Sequence, residues 1–208
     1  MKPIRIALTK GRLEKDCVKI FDKMGLDTDA LKNKGRKLIL PVSDYEAVLA
    51  KAADVITYIE HGVCDIGIVG KDTILEHPGS YYEILDLGIG KCRFALAGPK
   101  GNDFFSGHSA KTIATKYPAV AERYFSGKGM DVRIIKIEGS VELAPLLSLA
   151  DAIVDIVETG STLFENGLEI IEDVVPISAR VIVNIASLKL RKKEIEDFVD
   201  LMQRSKTV

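Results

Sequence analysis

Apolar positions along this chain fall into two rhythms, short β-branched runs and longer stretches with helical spacing, and the two alternate from the first residues onward. Residues 4–8 (IRIAL) read as a strand, followed by the turn Thr9-Lys10-Gly11-Arg12-Leu13 and a helical period through Met24 that Gly25 stops. A strand follows over 37–41. Ser43-Asp44-Tyr45-Glu46 then predicts a capping box for a helix on which Tyr45, Val48, Leu49, Ala52, Ile56 and Ile59 keep one face, ended by His61-Gly62. Residues 63–69 read as a buried strand, and Gly70-Lys71-Asp72-Thr73 turns into a short helix stopped by Pro78-Gly79. Strands over 83–88 and 91–97 adjoin through a Gly-containing turn.

After residues 98–103 the pattern restarts: a strand over 112–115, a helix over 118–125, a strand over 132–137, a helix over 141–149 and a strand over 152–157. Strands over 169–177 and 180–186 carry the chain back, and 190–204 is an amphipathic helix on Leu190, Ile195, Phe198, Val199 and Met202. Repeated crossovers of this kind imply an α/β fold with mostly parallel sheets, whose ligands sit at the carboxyl ends of strands. The restart divides the chain into an expected first domain of 1–89 with 179–208 and a second of 90–178.

Composition narrows the ligands. The chain has 208 residues, 47% hydrophobic, enough to bury a substantial core in one large or two small domains. Lys and Arg total 29 against 30 Asp and Glu, so no basic field exists to hold nucleic acid, and ligands should be small. The N-terminus enters a strand pattern with no signal-peptide core, and no apolar run approaches the roughly 18 residues of a membrane span, so a soluble cytoplasmic protein is expected. Cys17, Cys64 and Cys92 are odd in number and widely spaced, which suggests reduced thiols rather than a disulfide framework or zinc site. His61, His77 and His108 are scattered and adjoin Gly or Pro, as helix-end and turn residues do, and no HExxH or GxSxG pattern occurs. Tyr81-Tyr82 and Phe104-Phe105 could stack a base but read as packing.

The chemistry-bearing stretch is 138–163, EGSVELAPLLSLADAIVDIVETGSTL. Its strand runs into Glu158-Thr159-Gly160-Ser161-Thr162 and then a helix start. Successive backbone N–H groups in such a turn, with hydroxyls beside them, suit a phosphate monoester. Asp151 and Asp155 are acceptor-only groups that suit a sugar diol, so the stretch reads as a ribose 5-phosphate cradle. The alternative is an ordinary capped loop with solvated carboxylates. Lys10 and Arg12, flanking Gly11, could clamp polyphosphate, the Arg by its fork and the Lys as a point charge, or could be solvated charges at a helix start. GxxxxGK[ST] is absent, so this is not a P-loop. Lys71 and Asp72, taken alone, are a surface loop and a helix cap.

In Glu142, Ala150-Asp151, Val154-Asp155, Glu158-Thr159-Gly160 and Thr162, the long stretch resembles the signature of the ATP phosphoribosyltransferase family. KGRL at 10–13, DIGIVGKD at 65–72, IATKYP at 113–118 and SARVIVN at 178–184 extend the resemblance over nearly the whole chain. Ser148 stands where the family usually has Gly, and Thr9 where it usually has Pro. The resemblance implies a fold like the class II periplasmic binding proteins. It also implies transfer of the phosphoribosyl group of phosphoribosyl pyrophosphate to N1 of ATP, opening histidine biosynthesis, with Mg2+ carried by the substrate phosphates. On that reading Asp151, Asp155, Glu158, Thr159, Gly160, Ser161 and Thr162 hold the phosphoribosyl group. Lys10, Gly11, Arg12, Leu13, Arg36, Lys71 and Asp72 hold ATP or pyrophosphate, and Arg12, Asp155 and Glu142 act in catalysis. The chain looks like the family's short form, which implies a homodimer within a hetero-oligomer that includes a histidyl-tRNA-synthetase-like regulatory subunit. The rival from another class is a non-catalytic solute-binding or effector-sensing domain of the same fold. A second is a phosphoribosyltransferase using another base.

Overall fold

The computed structural model describes residues 2–107 and 110–206, so His108 lies outside the described residues. The elements in order are β1 (Ile4–Thr9), α1 (Arg12–Lys23), α2 (Asp29–Lys32), β2 (Ile39–Val42), β3 (Tyr45–Ala50), α3 (Ala52–Glu60), β4 (Ile66–Gly70), α4 (Lys71–Glu76) and β5 (Tyr81–Asp86). The chain continues through β6 (Cys92–Pro99), β7 (Lys111–Thr115), α5 (Pro118–Gly127), β8 (Val132–Lys136), α6 (Leu143–Leu146), β9 (Ala152–Val157) and α7 (Ser161–Glu165). It ends with β10 (Leu168–Ile177), β11 (Ala179–Asn184), α8 (Ile185–Leu190) and α9 (Lys192–Ser205). Two compact units result, Met1–Gly90 with Ser178–Val208 and Lys91–Ile177. No helix among the described residues is long and apolar enough to cross a membrane.

The first unit is built on a six-stranded sheet in the order β2-β3-β1-β4-β11-β5. Its centre, β3-β1-β4, is parallel, because α1 and α3 supply the crossovers that parallel strands require. β2, β11 and β5 pair antiparallel around it. One face buries Cys17, Ile20 and Phe21 of α1 with Ile195, Phe198 and Met202 of α9 against Ile6, Leu8, Ile66 and Ile68. The other face buries Val55, Ile56 and Ile59 of α3 against Ala7, Val69 and Ile182. With both faces covered, the central strands read as continuous apolar runs rather than alternating ones.

That double burial explains the first of two large departures from the expected elements. Residues 45–50, expected to begin a helix, form β3. Ala47 and Leu49 face the α1 side while Ala50 faces α3, with Tyr45 and Val48 packed beside them, so apolar residues at consecutive positions imitate a helical stripe. Ser43-Asp44 is not an N-cap but the turn of a hairpin, with Val42 opposite Tyr45 and Ser43 at φ 50. Only α3 remains helical. Residues 185–186, expected in a strand, start α8 instead, where the Asn184 side chain accepts the Ser187 N–H at 2.8 Å.

The second unit carries a five-stranded sheet in the order β10-β6-β9-β7-β8. β9-β7-β8 are parallel, joined through α5 and α6, and β6 and β10 run antiparallel. Ala95, Ala97, Ala114, Val141, Ala144, Ile153, Val157, Leu163 and Leu168 form the core on the α6 and α7 side. The helix expected over 141–149 is only the single turn Leu143–Leu146. Pro145 has no N–H to donate, and Ser148 at φ 57 leaves the right-handed helical region and ends it.

Candidate functional site

In the second unit, β9 places Asp155 on the face that also carries Ile153 and Val157, at the end where the strand leaves the sheet. Gly160 then turns the chain at φ 85 and ψ 0, a left-handed conformation that favours glycine, and caps α7. Thr159 and Ser161 hydroxyls stand 3.1 Å apart across this turn, and the Ser161 N–H points to Thr159 Oγ1 at 3.4 Å. These groups line a cavity of about 360 Å³ with Cys92, Glu142 and Asp155. Glu142 caps α6 and comes to the cavity from the segment that follows β8. Arg93 on β6 braces the loop from behind. Its Nε donates to Asp173 Oδ1 at 2.5 Å, and its Nη1 reaches the Glu158 carbonyl at 3.5 Å.

Electrostatics mark Asp155 within this group. Burial raises its carboxyl above the usual carboxylate range, the Ile156 N–H at 2.8 Å opposes that, Glu142 raises it further, and Lys116 lowers it. Lys116 follows the end of β7, whose Thr115 is in register with Val154, so it lies at the same carboxyl edge as Asp155. The cavity lining contains three acids and neither Lys nor Arg, so a bound anion must be met by N–H and hydroxyl dipoles and by neighbouring cations such as Lys116.

Asp151 does not join this group. It precedes β9, at the opposite end of the strand from Thr159, where its carboxylate accepts the Thr112 N–H at 2.7 Å and its own N–H donates to the Thr112 carbonyl at 2.8 Å. Six residues of β9 at about 3.3 Å each separate it from the turn, and its pairing pins the start of β7.

In the first unit, the parallel strands β3, β1 and β4 leave the sheet at one edge. Lys10 N–H donates to Ala50 O at 2.9 Å and Thr9 Oγ1 to Ile68 O at 3.0 Å, tying the β1 exit to its two neighbours. Gly11 follows at φ 103, and Lys10, Gly11 and Arg12 are exposed while Leu13 packs against the core and anchors the loop. Because β2 runs against β3, the segment entering β2 lies at this same edge, with Leu49 N–H donating to Leu38 O at 2.8 Å. Arg36 therefore stands on the same side of the sheet as Lys10 and Arg12, although far from them in sequence.

Lys71 and Asp72, at the exit of β4, share that edge but are otherwise engaged. Lys71 Nζ pairs with Glu83 Oε2 at 2.5 Å, and Asp72 folds back so closely that a Cβ on Gly70 would meet its Oδ1 at 2.0 Å. Sequence reading missed Lys51, exposed at the start of α3, because the expected helix ran through it. It also missed Glu14 and Lys34, whose pairing spans from α1 to the loop after α2 and has no local pattern. Among the described residues no three His, Cys, Asp or Glu side chains gather as a metal site. His61 and His77 cap the C-termini of α3 and α4.

The family model for ATP phosphoribosyltransferase (HisG) matches residues 51–204. An ATP phosphoribosyltransferase of Clostridium kluyveri is 62% identical over 204 residues, 97% of this chain and 93% of that protein. One from Clostridium acetobutylicum is 60% identical over 200 residues, 95% of this chain and 93% of that protein. Among solved structures, the ATP phosphoribosyl transferase (HisG:HisZ) complex from Thermotoga maritima is similar at TM-score 0.83 and 36% identity, covering 98% of each chain.

Proposed function

This chain belongs to the ATP phosphoribosyltransferase family, and on that premise we propose that it transfers the phosphoribosyl group of phosphoribosyl pyrophosphate to N1 of ATP, releasing pyrophosphate, in histidine biosynthesis. The observation that carries the reading is the β9 exit, where a half-buried carboxylate, a left-handed glycine and a hydroxyl-lined turn share one cavity.

Adenine N1 keeps a free lone pair, so the nucleophile needs no strong base. The barrier lies in breaking the bond at the anomeric carbon, where positive charge grows on the ribose as negative charge grows on the departing pyrophosphate. Catalysis is then positioning and electrostatics. Thr159, Gly160, Ser161 and Thr162 receive the 5-phosphate, with Glu158 contributing the backbone that Arg93 braces. Asp155 takes the ribose hydroxyls, and Glu142 beside it orients the reacting sugar and steadies its growing positive charge. In the first unit, Lys10, Arg12 and Arg36 neutralise pyrophosphate or ATP phosphates, Arg12 through its bidentate fork. Lys71 and Asp72 brace the β4–α4 turn at that edge.

Mg2+ carried by the substrate's phosphates would supply charge neutralisation there. Glu142 and Asp155 are of the hard oxygen type that takes the waters of such an ion. We infer a HisZ-like partner as well, on the strength of the Thermotoga complex, and a cytoplasmic setting for the pathway.

The test mixes the purified chain with ATP, phosphoribosyl pyrophosphate and Mg2+, following the ultraviolet change of N1-alkylated adenine with pyrophosphate assayed in parallel. Turnover, alone or with the partner subunit added, is expected. Tight substrate binding without turnover in either case would favour the solute-binding alternative instead.

A further inference from the structure

Two cationic loops of the first unit, residues 10–12 and 34–36, reach the same sheet edge from different parts of the chain, and one carboxylate touches both. Glu14, in the first turn of α1, is 5% exposed, the one acidic residue among the buried polar groups of the described structure. Its Oε2 accepts the Gly11 N–H at 3.4 Å, and its Oε1 pairs with the Lys34 ammonium. Lys34 in turn begins the tight turn in which the Lys37 N–H donates to the Lys34 carbonyl at 3.0 Å, with Arg36 inside it. A carboxylate taken out of water is costly unless its oxygens are paired, and here both partners belong to the phosphate-facing loops.

We infer that Glu14 is a positioning residue, and that its pairing with Lys34 is a latch that fixes the spacing between the Lys10–Arg12 and Arg36 cations for a pyrophosphate group. The inference rests on the polyphosphate role given to those cations above. Gly11 at φ 103 turns its N–H inward to Glu14, so this backbone group serves the latch. Lys34, with its charge paired to Glu14, holds the second loop in place, and Lys10, Arg12 and Arg36 are exposed at the same edge.

The experiment uses the full chain and inorganic pyrophosphate with Mg2+ as the probe, measured by calorimetry for the native protein, Glu14→Gln, Lys34→Met and the double variant. Each single change should weaken pyrophosphate binding by about tenfold, as misplaced charge partners do, and the double should be no worse than the weaker single. Amide exchange should quicken at residues 10–13 and 34–37 in both singles and stay unchanged across the β-strands, which a general loss of stability would not produce. Native-like affinity in Glu14→Gln, an additive double variant, or unchanged exchange in the two loops would overturn the latch while leaving the proposed activity standing. A native protein that neither binds pyrophosphate nor turns over would overturn both.

Discussion

Asp155 shows how one residue can be placed against its own stability. Burial and Glu142 raise its carboxyl, with the Ile156 N–H and Lys116 only partly offsetting them. An acid whose folded pKa lies above its unfolded value costs stability at neutral pH, and the cost disappears as pH falls through the folded pKa towards the unfolded one. Asp155→Asn should therefore raise stability by about 1 kcal/mol at pH 7 and by almost nothing near pH 3, read by denaturant melts. The same substitution should cost on the order of a hundredfold in kcat/KM. Turnover of the native chain should fade on the acid side at a pH above the ordinary aspartate range of about 4, since protonation turns one of the oxygens proposed to accept the sugar hydroxyls into a donor. A neutral-pH melt unchanged by Asp155→Asn would argue that the carboxylate is solvated after all. The placement of Asp155 beside the turn could be read from the chain because it needs only a strand, an acid and a following turn. Asp151 met the same description four positions earlier in the sequence, but its placement depended on which end of β9 faces the loop and on the Thr112 N–H it accepts.

At the scale of elements, legibility depended on whether the sequence or the packing fixes the backbone. α1 and α9 were legible because each presents one apolar stripe to one face of the first sheet. β3 was not, because a strand buried on both faces has no alternation to show. The segment between Val141 and Ala150 is the other case, a helical stripe broken after one turn by Pro145 and Ser148. Ser148 holds φ 57, which costs an L-residue about 1–2 kcal/mol and glycine very little. Against this stands the extra freedom glycine gains in the unfolded chain, so Ser148→Gly should stabilise by about 0.5–1 kcal/mol. Ser148→Ala should gain nothing. Equal melting temperatures for the two variants would show that the turn relaxes without glycine. Gly160 is the converse: at φ 85 its backbone is strained for any L side chain, although a Cβ there would meet Ile170 Cδ1 only at ordinary contact distance, so Gly160→Ala should cost about 1 kcal/mol and shift the turn. Its effect should fall on the KM for phosphoribosyl pyrophosphate, and a variant with native KM would remove the turn from the phosphate site.

At the scale of the whole chain, the first unit has to recapture a chain that left it at Gly90 and returned at Ser178, and Asp86 is where that closure is made. Its Oδ1 accepts the Ser178 hydroxyl and the Gly88 N–H, each at 2.8 Å, and its Oδ2 pairs with Arg180 Nη2 at 3.0 Å. Its carbonyl accepts Lys206 Nζ at 2.5 Å, tying in the residue that follows α9. Burial works to raise this carboxyl, but the Ser178 and Gly88 hydrogen bonds and the charges of Arg180 and Lys206 outweigh it and hold it below the usual range. For an acid with a depressed folded pKa the stabilisation is present above the unfolded value of about 4 and is lost as pH falls through the folded one. The side chain is 45% exposed, so solvent screening limits the charge contribution to about 1 kcal/mol or less. Asp86→Asn should lower stability by about that amount near pH 7, and the gap to the native chain should close as pH falls below the ordinary aspartate range and through the depressed folded value, where the native carboxyl is itself protonated. Urea melts at neutral and at acid pH read this directly, and a gap of constant size would mean that Asp86 acts through shape rather than charge.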